Sequence, residues 1–237
     1  MLNYDIGMSE KQAVFTLVGG RVKIRRGIYN PTSDAVWLSA FAADVRAKNV
    51  LDVGVVTGGA ILCLLAANPN IQSATGIDIS DDMLTECAQN AETNNRDIEL
   101  INADIMTWRT SRTFDLVITN PPYFKGTPAH HNAHHNADIK NWIKRAAARV
   151  KPRGTICAIV DSAVVSDVIG VLSERCGDIT ILPLFSKKQV AERVLVRARV
   201  GTHGGTIVYR GLDMNNENVL RDGLTIANTF SKLGWKC

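Results

Sequence analysis

A short run in the middle of the chain has the residue types for chemistry on an amine. Asn120-Pro121-Pro122-Tyr123 follows an apolar segment, residues 116–119, that is typical of a buried strand. Proline fixes φ and donates no N–H, so the turn is stiff and its carbonyls can accept hydrogen bonds. The Asn120 side-chain oxygen and the Pro121 carbonyl could hold both hydrogens of a planar NH2 group, orienting its lone pair toward a methyl group and stabilising the developing positive charge. Tyr123 offers a face for a stacked base. The simpler alternative is an ordinary turn after a strand.

Three acidic residues recur with a constant spacing. Asp52, Asp78 and Asp104 are 26 residues apart, about one strand–helix unit each. In a doubly wound sheet ligands bind outside the carboxyl ends of the strands, so the three acids should converge on one crevice. Asp78 is placed to accept hydrogen bonds from a ribose diol of a cofactor, and Asp104 from its adenine amine. Ile79 and Ile105 belong to the same predicted site, although any one acid could be only a cap.

A glycine-rich turn begins at the first of these acids. It reads Asp52-Val-Gly-Val-Val-Thr-Gly-Gly, in which Gly54 and Gly58 allow close approach to a ligand and φ values closed to other residues. The GxGxxG fingerprint of dinucleotide sites is absent, because Gly54-Val-Val-Thr-Gly-Gly does not fit it. The turn therefore favours a cofactor other than a dinucleotide.

The elements that must position these residues alternate between strand and helix patterns. This alternation predicts the α/β class, a Rossmann-like seven-stranded and mostly parallel sheet with helices on both faces. The strands are expected at residues 50–55, 74–79, 98–102, 116–119, 155–160, 179–184 and 193–200. We expect one helix capped by Ser80, another capped by Asp138 and a third over residues 163–175.

The order of the patterns predicts one domain over residues 1–237. Residues 1–46 would form an N-terminal strand and helix extension, with the helix starting near Asp34. Residues 47–201 would form the Rossmann-like core, and residues 202–237 a C-terminal strand and a final helix near 217–232.

Composition narrows the class of protein further. The chain has 237 residues, of which 46% are hydrophobic, a net charge of +4 and five scattered cysteines without a CxxC pair. No apolar run approaches the length of a membrane span, and the N-terminus lacks the layout of a signal peptide. We therefore expect a cytoplasmic protein with buried free thiols and no membrane partner. The modest positive charge permits a nucleic-acid partner without requiring one.

Two basic stripes and a histidine tract have weaker signals. Arg21, Lys23 and Arg25 alternate with apolar residues, so one strand face would be basic and suited to RNA phosphates, or simply solvated. A second stripe follows the same alternation at Arg193, Arg197 and Arg199. The tract contains His130, His131, His134 and His135. With no cysteine or carboxylate to complete a tetrahedral set, it predicts no metal site and instead a substrate-side loop that orders on binding.

Beyond these patterns the chain resembles a known family. Asn-Pro-Pro-Tyr after the fourth core strand, with acids before it, looks like the N-methyltransferases that act on adenine N6 or glutamine N5. Further segments resemble the bacterial tRNA1(Val) adenine-N6-methyltransferase family: GGRVKIRRGIYNPTSDAVWLSAF, NPPYF, AERVLVRARVG and IVYRGLDMN. The resemblance implies S-adenosyl-L-methionine as cofactor and tRNA as partner, with methylation of an adenine beside the anticodon of a valine tRNA. It makes Asn120 and Tyr123 the catalytic asparagine and stacking tyrosine, and matches Thr32-Ser33-Asp34 to an N-terminal cofactor-contacting motif.

One residue departs from that family's pattern, and alternatives remain. The first loop of the family reads D-x-G-x-G-x-G, and Val56 replaces its middle glycine here. A β-branched residue tolerates positive φ poorly, so Val56→Gly should tighten binding of S-adenosylmethionine. The rival functions are methylation of a protein glutamine N5, methylation of guanine N2, against which Tyr123 argues, and RNA binding without catalysis.

Overall fold

The computed structural model describes residues 14–122 and 132–235, with only the backbone described for 132–138. The strands are β1 (Val14–Leu17), β2 (Val22–Arg25), β3 (Asn49–Val53), β4 (Ser73–Asp78), β5 (Glu99–Asn102), β6 (Phe114–Thr119), β7 (Val150–Asp161), β8 (Cys176–Phe185), β9 (Arg193–Val200), β10 (Ile207–Val208) and β11 (Leu212–Asp213). The helices are α1 (Ser33–Ala42), α2 (Gly59–Ala67), α3 (Asp81–Thr93), α4 (Asn132–Ala147), α5 (Val165–Ser173), α6 (Glu217–Leu220) and α7 (Ile226–Lys232), with a 3-10 turn at Ser162–Val164.

The central sheet has nine strands. Their order is β10-β8-β9-β7-β6-β3-β4-β5, with β11 also pairing with β8. All neighbours are parallel except β9, which is antiparallel to β7 and β8. The mostly parallel α/β fold is confirmed, but the predicted count of seven strands is wrong. The two additional strands, β10 and β11, have two residues each. Strand β10 lies in the segment where the C-terminal strand was predicted, but its pairing with the core sheet was not, and β11 is too short to produce a periodic pattern.

Helices cover both faces of the sheet because successive strand residues point to opposite sides. In β6, Leu116 and Ile118 are buried with α1 and α2, whereas Val117 is buried with α4 and α5. Strands buried on both faces in this way are typical of parallel sheets and need nearly continuous apolar sequences. Within the described ranges, no helix has both the length and the apolar character to cross a bilayer.

Two helix predictions need correction. Helix α4 begins at Asn132, so Asp138 lies inside it and is not its N-cap. The residues before Asp138 include Ala133, and because alanine favours helix, the helix extends further toward the N-terminus than Asp138. The predicted final helix is divided into α6 and α7, with Gly223 between them at φ +60°. The Ser80 cap is confirmed, because its side chain accepts a 3.4 Å hydrogen bond from Met83 N.

The hairpin of β1 and β2 docks on α3 through two asparagines. The amide of Asn94 accepts from Lys23 N at 2.8 Å and donates to Lys23 O at 2.6 Å, completing the free edge of β2. Asn90 accepts from Arg25 N and donates to Thr57 O, both at 2.9 Å. Asn90 therefore connects the hairpin to the glycine-rich loop that follows β3.

Candidate active site

A cavity of about 790 Å³ opens at the carboxyl ends of β3, β4 and β6. Its volume is within the range of roughly 300–1,000 Å³ that small-molecule sites occupy. Nine residues predicted for the site line it together: Asp52, Gly54, Asp78, Ile79, Asp104, Ile105, Asn120, Pro121 and Pro122. The crevice expected from the strand-end acids is therefore present in the fold.

The Asp78 carboxylate is held at both oxygens by backbone donors. Val56 N donates to Oδ2 at 2.9 Å, and Ser80 N donates to Oδ1 at 3.0 Å. Each carboxylate oxygen has two lone pairs, so both can accept a further hydrogen bond from a ligand diol. Ile79, the next residue, is 70% exposed at the cavity wall, an apolar surface available to a flat ring.

A second acceptor lies beyond β5. Asp104 Oδ1 accepts a 2.8 Å hydrogen bond from Met106 N, which fixes the carboxylate. Ile105 is buried beneath it, and Met106 lines the cavity. This wall thus combines one fixed acceptor with apolar surface, a combination that suits an aromatic ring bearing an amine.

Asp52 places a buried carboxyl group in the cavity wall. It is 2% exposed at the end of β3. Burial raises the pKa of its carboxyl well above the ordinary value, and repulsion by Asp78 raises it further. In the part of the chain that the structure describes, Asp52 Oδ2 and Thr57 Oγ1 are buried polar atoms without a hydrogen-bond partner, and both residues line the cavity. A cationic ligand with polar hydrogens fits these two atoms.

The predicted loop glycines have different roles. Gly54 lines the cavity at φ +76°, and a Cβ there would lie 3.2 Å from the Trp142 ring. Gly58, at φ +84°, is not a lining residue. It precedes α2, and a Cβ there would lie 2.8 Å from Cys87 Sγ. Gly58 therefore shapes the loop, and its direct contact with a cofactor stays a prediction.

Asn120 follows a strand end that is fixed by two hydrogen bonds. Thr119 Oγ1 donates to Val53 O and accepts from Trp142 Nε1, both at 2.9 Å. These contacts join β6, β3 and α4 directly beneath the Asn-Pro-Pro turn. Pro121 is buried and Pro122 exposed at the cavity. Tyr123 lies outside the described residues.

Asp34 lies behind the cavity wall. It is 4% exposed, and its Oδ2 pairs with Arg193 Nε at 3.1 Å. Arg193 Nη1 also contacts Asp161 Oδ2 at 3.1 Å. Thr32 and Ala35, from the same segment, line the cavity. The ion pairs anchor the start of α1 to β7 and β9, and contact of Asp34 with a cofactor stays a prediction.

Several lining residues could not be assigned from the sequence: Tyr29, Pro31, Thr57, Met106 and Trp142. Trp142 has the spacing of a core-facing helix residue, and its position beside Gly54 depends on how α4 packs. Pro31 packs against Gly59, where a Cβ would be 2.5 Å away. The small residues at the start of α2 were the sequence feature from which this close packing of Pro31 could have been predicted.

The basic stripe of Arg21, Lys23 and Arg25, in β2 and the turn before it, lies outside the cavity lining. Lys23 is exposed, whereas Arg21 Nε donates to Val18 O at 3.0 Å and its Nη2 to Asp222 O at 3.2 Å. Arg25 Nε donates to Thr93 Oγ1 at 3.1 Å. Two of the three residues therefore have structural contacts, and RNA contact by the stripe stays a prediction.

No cluster of three or more potential metal ligands occurs among the described residues. His130 and His131 lie outside them, and only the backbone of His134 and His135, in α4, is described. The loop prediction is therefore wrong for His134 and His135, because the helix extends over them. The prediction for His130 and His131 stays untested. Four cysteines are free and buried: Cys63, Cys87, Cys157 and Cys176.

The chain matches known methyltransferases in sequence. Residues 32–183 match the family model of the methyltransferase small domain. A tRNA1(Val) (adenine(37)-N6)-methyltransferase of Glaesserella parasuis is 30% identical over 137 residues, 54% of this chain and 57% of the relative. A release factor glutamine methyltransferase of Lactococcus lactis is 31% identical over 120 residues, 51% of this chain and 43% of the relative. The chain thus spans about half the length of these relatives.

A solved structure supports the fold independently. A predicted O-methyltransferase from Agrobacterium tumefaciens superimposes with a TM-score of 0.63 and 25% identity. The match covers 77% of this chain and 88% of that protein. The sheet and its flanking helices are therefore those of a known methyltransferase architecture.

Proposed function

We propose, on the premise that the chain belongs to the methyltransferase small domain family, that it transfers a methyl group from S-adenosylmethionine to the N6 amine of an adenine in tRNA. The observation that carries this proposal is that Asn120, Pro121 and Pro122 line the same cavity as the three strand-end acids. The hydrogen-bond acceptors that would hold a planar amine and those that would hold a nucleoside cofactor therefore line the same cavity.

The cavity residues fit S-adenosylmethionine. Asp78, fixed at both oxygens, accepts hydrogen bonds from the ribose diol, and Asp104 accepts one from the adenine amine. Ile79 provides the apolar face for the adenine ring. Asp52 would balance the positive charge of the cofactor by releasing its proton when the cofactor binds. When bound, S-adenosylmethionine supplies a methyl group on a positively charged sulfur.

Asn120 and Pro121 hold the amine that receives the methyl group. The Asn120 side-chain oxygen and the Pro121 carbonyl would each accept one hydrogen of the planar NH2, which orients the nitrogen lone pair for attack. The methyl group would leave the cofactor sulfur as it bonds to nitrogen, and the nitrogen would then lose one proton to solvent. Both acceptors become more favourable as positive charge develops on the nitrogen. Thr119, bonded to Val53 and Trp142, keeps this turn in register with the cofactor loop. Tyr123 stacks on the extruded base.

The choice of tRNA follows the named relative and the sequence resemblance. A relative with a 30% identical segment is a tRNA1(Val) adenine-37 N6-methyltransferase, which favours the adenine beside the anticodon of a valine tRNA. Within the stripe of Arg21, Lys23 and Arg25, exposed Lys23 then makes the main contact with RNA phosphates, because the other two side chains bond within the protein. A tRNA substrate and four buried free thiols favour the cytoplasm as location.

A second candidate substrate is the N5 amide of a protein glutamine. A glutamine amide is also a planar NH2 group, so the same acceptors on Asn120 and Pro121 would serve it. The match to a release factor glutamine methyltransferase, 31% identical over 120 residues, keeps this alternative open.

The test is methyl transfer from labelled S-adenosylmethionine to two substrates in parallel. Unmodified bulk tRNA and a purified release factor are each incubated with the protein, with an Asn120→Ala variant as control. We expect label on tRNA, recovered as N6-methyladenosine, and none with the variant. Label on the release factor alone would establish the glutamine alternative. Cofactor binding without transfer to either substrate would contradict both.

A further inference from the structure

A second cavity, of about 550 Å³, lies at the opposite end of the sheet from the active site. Four arginines line it: Arg46, Arg153, Arg197 and Arg199. Among the described lining residues the one carboxylate is Asp178, and it pairs with Arg199 at 3.7 Å. Four guanidinium groups against one carboxylate leave this concave surface strongly positive, which favours an anionic ligand.

Two irregularities in the sheet build this cavity. The β6–β7 register shifts between Phe114 and Leu116, whose partners are Val150 and Thr155, so the intervening residues of β7 bulge out and present Arg153. The β8–β9 register shifts between Gly177 and Thr180, and this bulge presents Asp178. Bulges of this kind redirect side chains at functional edges of sheets.

Both bulges contain a residue in the left-handed region. Arg153 has φ +63° and Asp178 has φ +50°, which makes them two of the five described non-glycine residues with positive φ. Such conformations cost about 1–3 kcal/mol each and are concentrated at ligand sites. Both strained residues therefore carry charged side chains that line the cavity.

The other two arginines are fixed by the sheet and by α1. Arg199 lies directly opposite Thr155 on β7, and Arg197 lies directly opposite Thr180 on β8. The side chains of these two arginines and two threonines are therefore on one face of the sheet. The Arg197 guanidinium is 5.1 Å from the centre of the Phe41 ring on α1, a cation–π contact that fixes its position. Arg46 and Arg153, by contrast, have no hydrogen bond or ion pair from their guanidinium groups to any described residue.

We propose that this arginine-lined cavity binds phosphate groups. Guanidinium donors match phosphate oxygens in geometry and charge, and the Thr155 and Thr180 hydroxyls add neutral donors on the same face. The phosphate comes either from a free phosphorylated molecule or from the backbone of an RNA substrate. Phosphate binding by this cavity does not depend on the proposed methyltransferase function. Only the choice of RNA as the source of the phosphate rests on that function.

Helix α1 sets the distance between this cavity and the active site. Thr32 and Ala35, at the start of α1, line the active-site cavity, and Val45 and Arg46, just past its end, line the arginine cavity. A helix of 10 residues is about 15 Å long, so a bound phosphate would lie on the order of 15–20 Å from the reacting amine. An RNA that is held at both cavities would be contacted at a phosphate remote from its modified base.

The test compares two double variants of the full chain. In Arg46→Gln/Arg153→Gln the two arginines without described partners are neutralised. In Arg96→Gln/Arg145→Gln, the matched control, two exposed arginines outside the cavity lose the same charge. Binding of pyrophosphate is measured by calorimetry, and binding of unmodified tRNA as a function of salt concentration. Melting temperature and S-adenosylmethionine affinity, which should not change, verify that each variant is folded.

We expect pyrophosphate to bind the wild type and the control equally and the cavity variant at least 10-fold more weakly. A fall of about two in the salt slope of tRNA binding, confined to the cavity variant, identifies RNA as the phosphate source. An unchanged tRNA slope with lost pyrophosphate binding identifies a free phosphorylated ligand. Equal losses in both double variants, or no loss in either assay, overturn the proposal. None of these measurements uses methyl transfer, so they remain decisive if the proposed function fails.

Discussion

The backbone N–H of Val56 donates a 2.9 Å hydrogen bond to Oδ2 of Asp78, and Val56 adopts φ +49°. Valine in the left-handed region costs about 1–3 kcal/mol, and a hydrogen bond to a carboxylate contributes about 1.5–3 kcal/mol. The two terms are of similar size, so Asp78 can hold the loop in a conformation that valine resists. The residue proposed to bind the cofactor ribose therefore also shapes the loop around it.

Replacing this valine should stabilise the ligand-free protein. Val56→Gly removes the strain at positive φ but adds conformational entropy to the unfolded chain, so we expect unfolding free energy to rise by about 1 kcal/mol. Urea denaturation measures it, with Val56→Ala as a control that keeps a Cβ. If the valine side chain also obstructs the ligand, the glycine variant binds S-adenosylmethionine and its demethylated product more tightly. Equal or lower stability of the glycine variant would show that the loop accommodates valine without strain.

Removing the carboxylate of Asp78 should weaken cofactor binding. Asp78→Ala loses hydrogen bonds to a charged acceptor worth roughly 1.5–3 kcal/mol, which corresponds to about 10- to 150-fold in dissociation constant. Calorimetric titration measures the affinity. Asp82→Asn is the matched control, because it removes an exposed negative charge nearby in the first turn of α3. An unchanged dissociation constant for Asp78→Ala would show that Asp78 only supports the loop and Ser80 and does not bind the cofactor.

Removing the amine acceptor should affect turnover and leave cofactor binding intact. Asn120→Ala eliminates an acceptor that stabilises charge in the transition state, so we expect turnover to fall on the order of 100-fold or more. Affinity for S-adenosylmethionine should stay within a few-fold of wild type. The matched control is Asn70→Ala, which removes the same side chain from an exposed turn outside the cavity lining. Turnover close to wild type would contradict the assignment of the Asn-Pro-Pro turn.

The site acids could be predicted from the sequence because parallel topology alone brings strand ends together. Asp52, Asp78 and Asp104 follow consecutive strands, so no knowledge of side-chain packing was needed. Trp142 could not be assigned, since its contact with Thr119 depends on how α4 lies across the sheet. Long-range contacts of this kind leave no periodic signal in the sequence.

The number of strands and the partners of the basic residues could not be predicted for the same reason. Two-residue strands such as β10 and β11 exist only because β8 offers them a free edge. Arg193 has the alternation of a basic face, yet in the structure it is paired with Asp34 and Asp161. The partners are 159 and 32 residues away along the chain, so local pattern could not identify them.

Arg21 should contribute more to stability than to RNA binding. Its guanidinium donates to the carbonyls of Val18, Asp222 and Gly223, joining the hairpin to the C-terminal segment. We expect Arg21→Gln to lower the unfolding free energy by about 1–3 kcal/mol, since three hydrogen bonds at a solvent-exposed position are lost. Lys23→Gln is the matched control, because it removes the same charge from an exposed position two residues further along the hairpin, in β2. It should leave stability unchanged and lower the salt slope of tRNA binding by about one. Equal stability of the two variants would contradict the structural role of Arg21.

Asp52 should couple cofactor binding to a proton. Burial and repulsion by Asp78 raise the pKa of its carboxyl well above the ordinary value. Between the ordinary value and this raised one, the folded ligand-free protein holds a proton that the unfolded chain has released. Its unfolding free energy should therefore be highest at low pH within this window and fall as pH rises through the raised pKa. Thermal melts across pH measure this trend, which Asp52→Asn should flatten.

The same shift fixes how affinity for S-adenosylmethionine should vary with pH. A positively charged ligand in the cavity favours the ionised carboxylate, so binding lowers the pKa of Asp52 and releases a proton. Affinity should rise with pH through the ligand-free pKa of Asp52 and level off above it. Calorimetry in buffers of different ionisation enthalpy counts the released proton directly. Asp52→Asn should bind more weakly at high pH, with no proton released and no pH dependence from this site. Proton release that persists in the asparagine variant would assign the coupling to another group in the cavity.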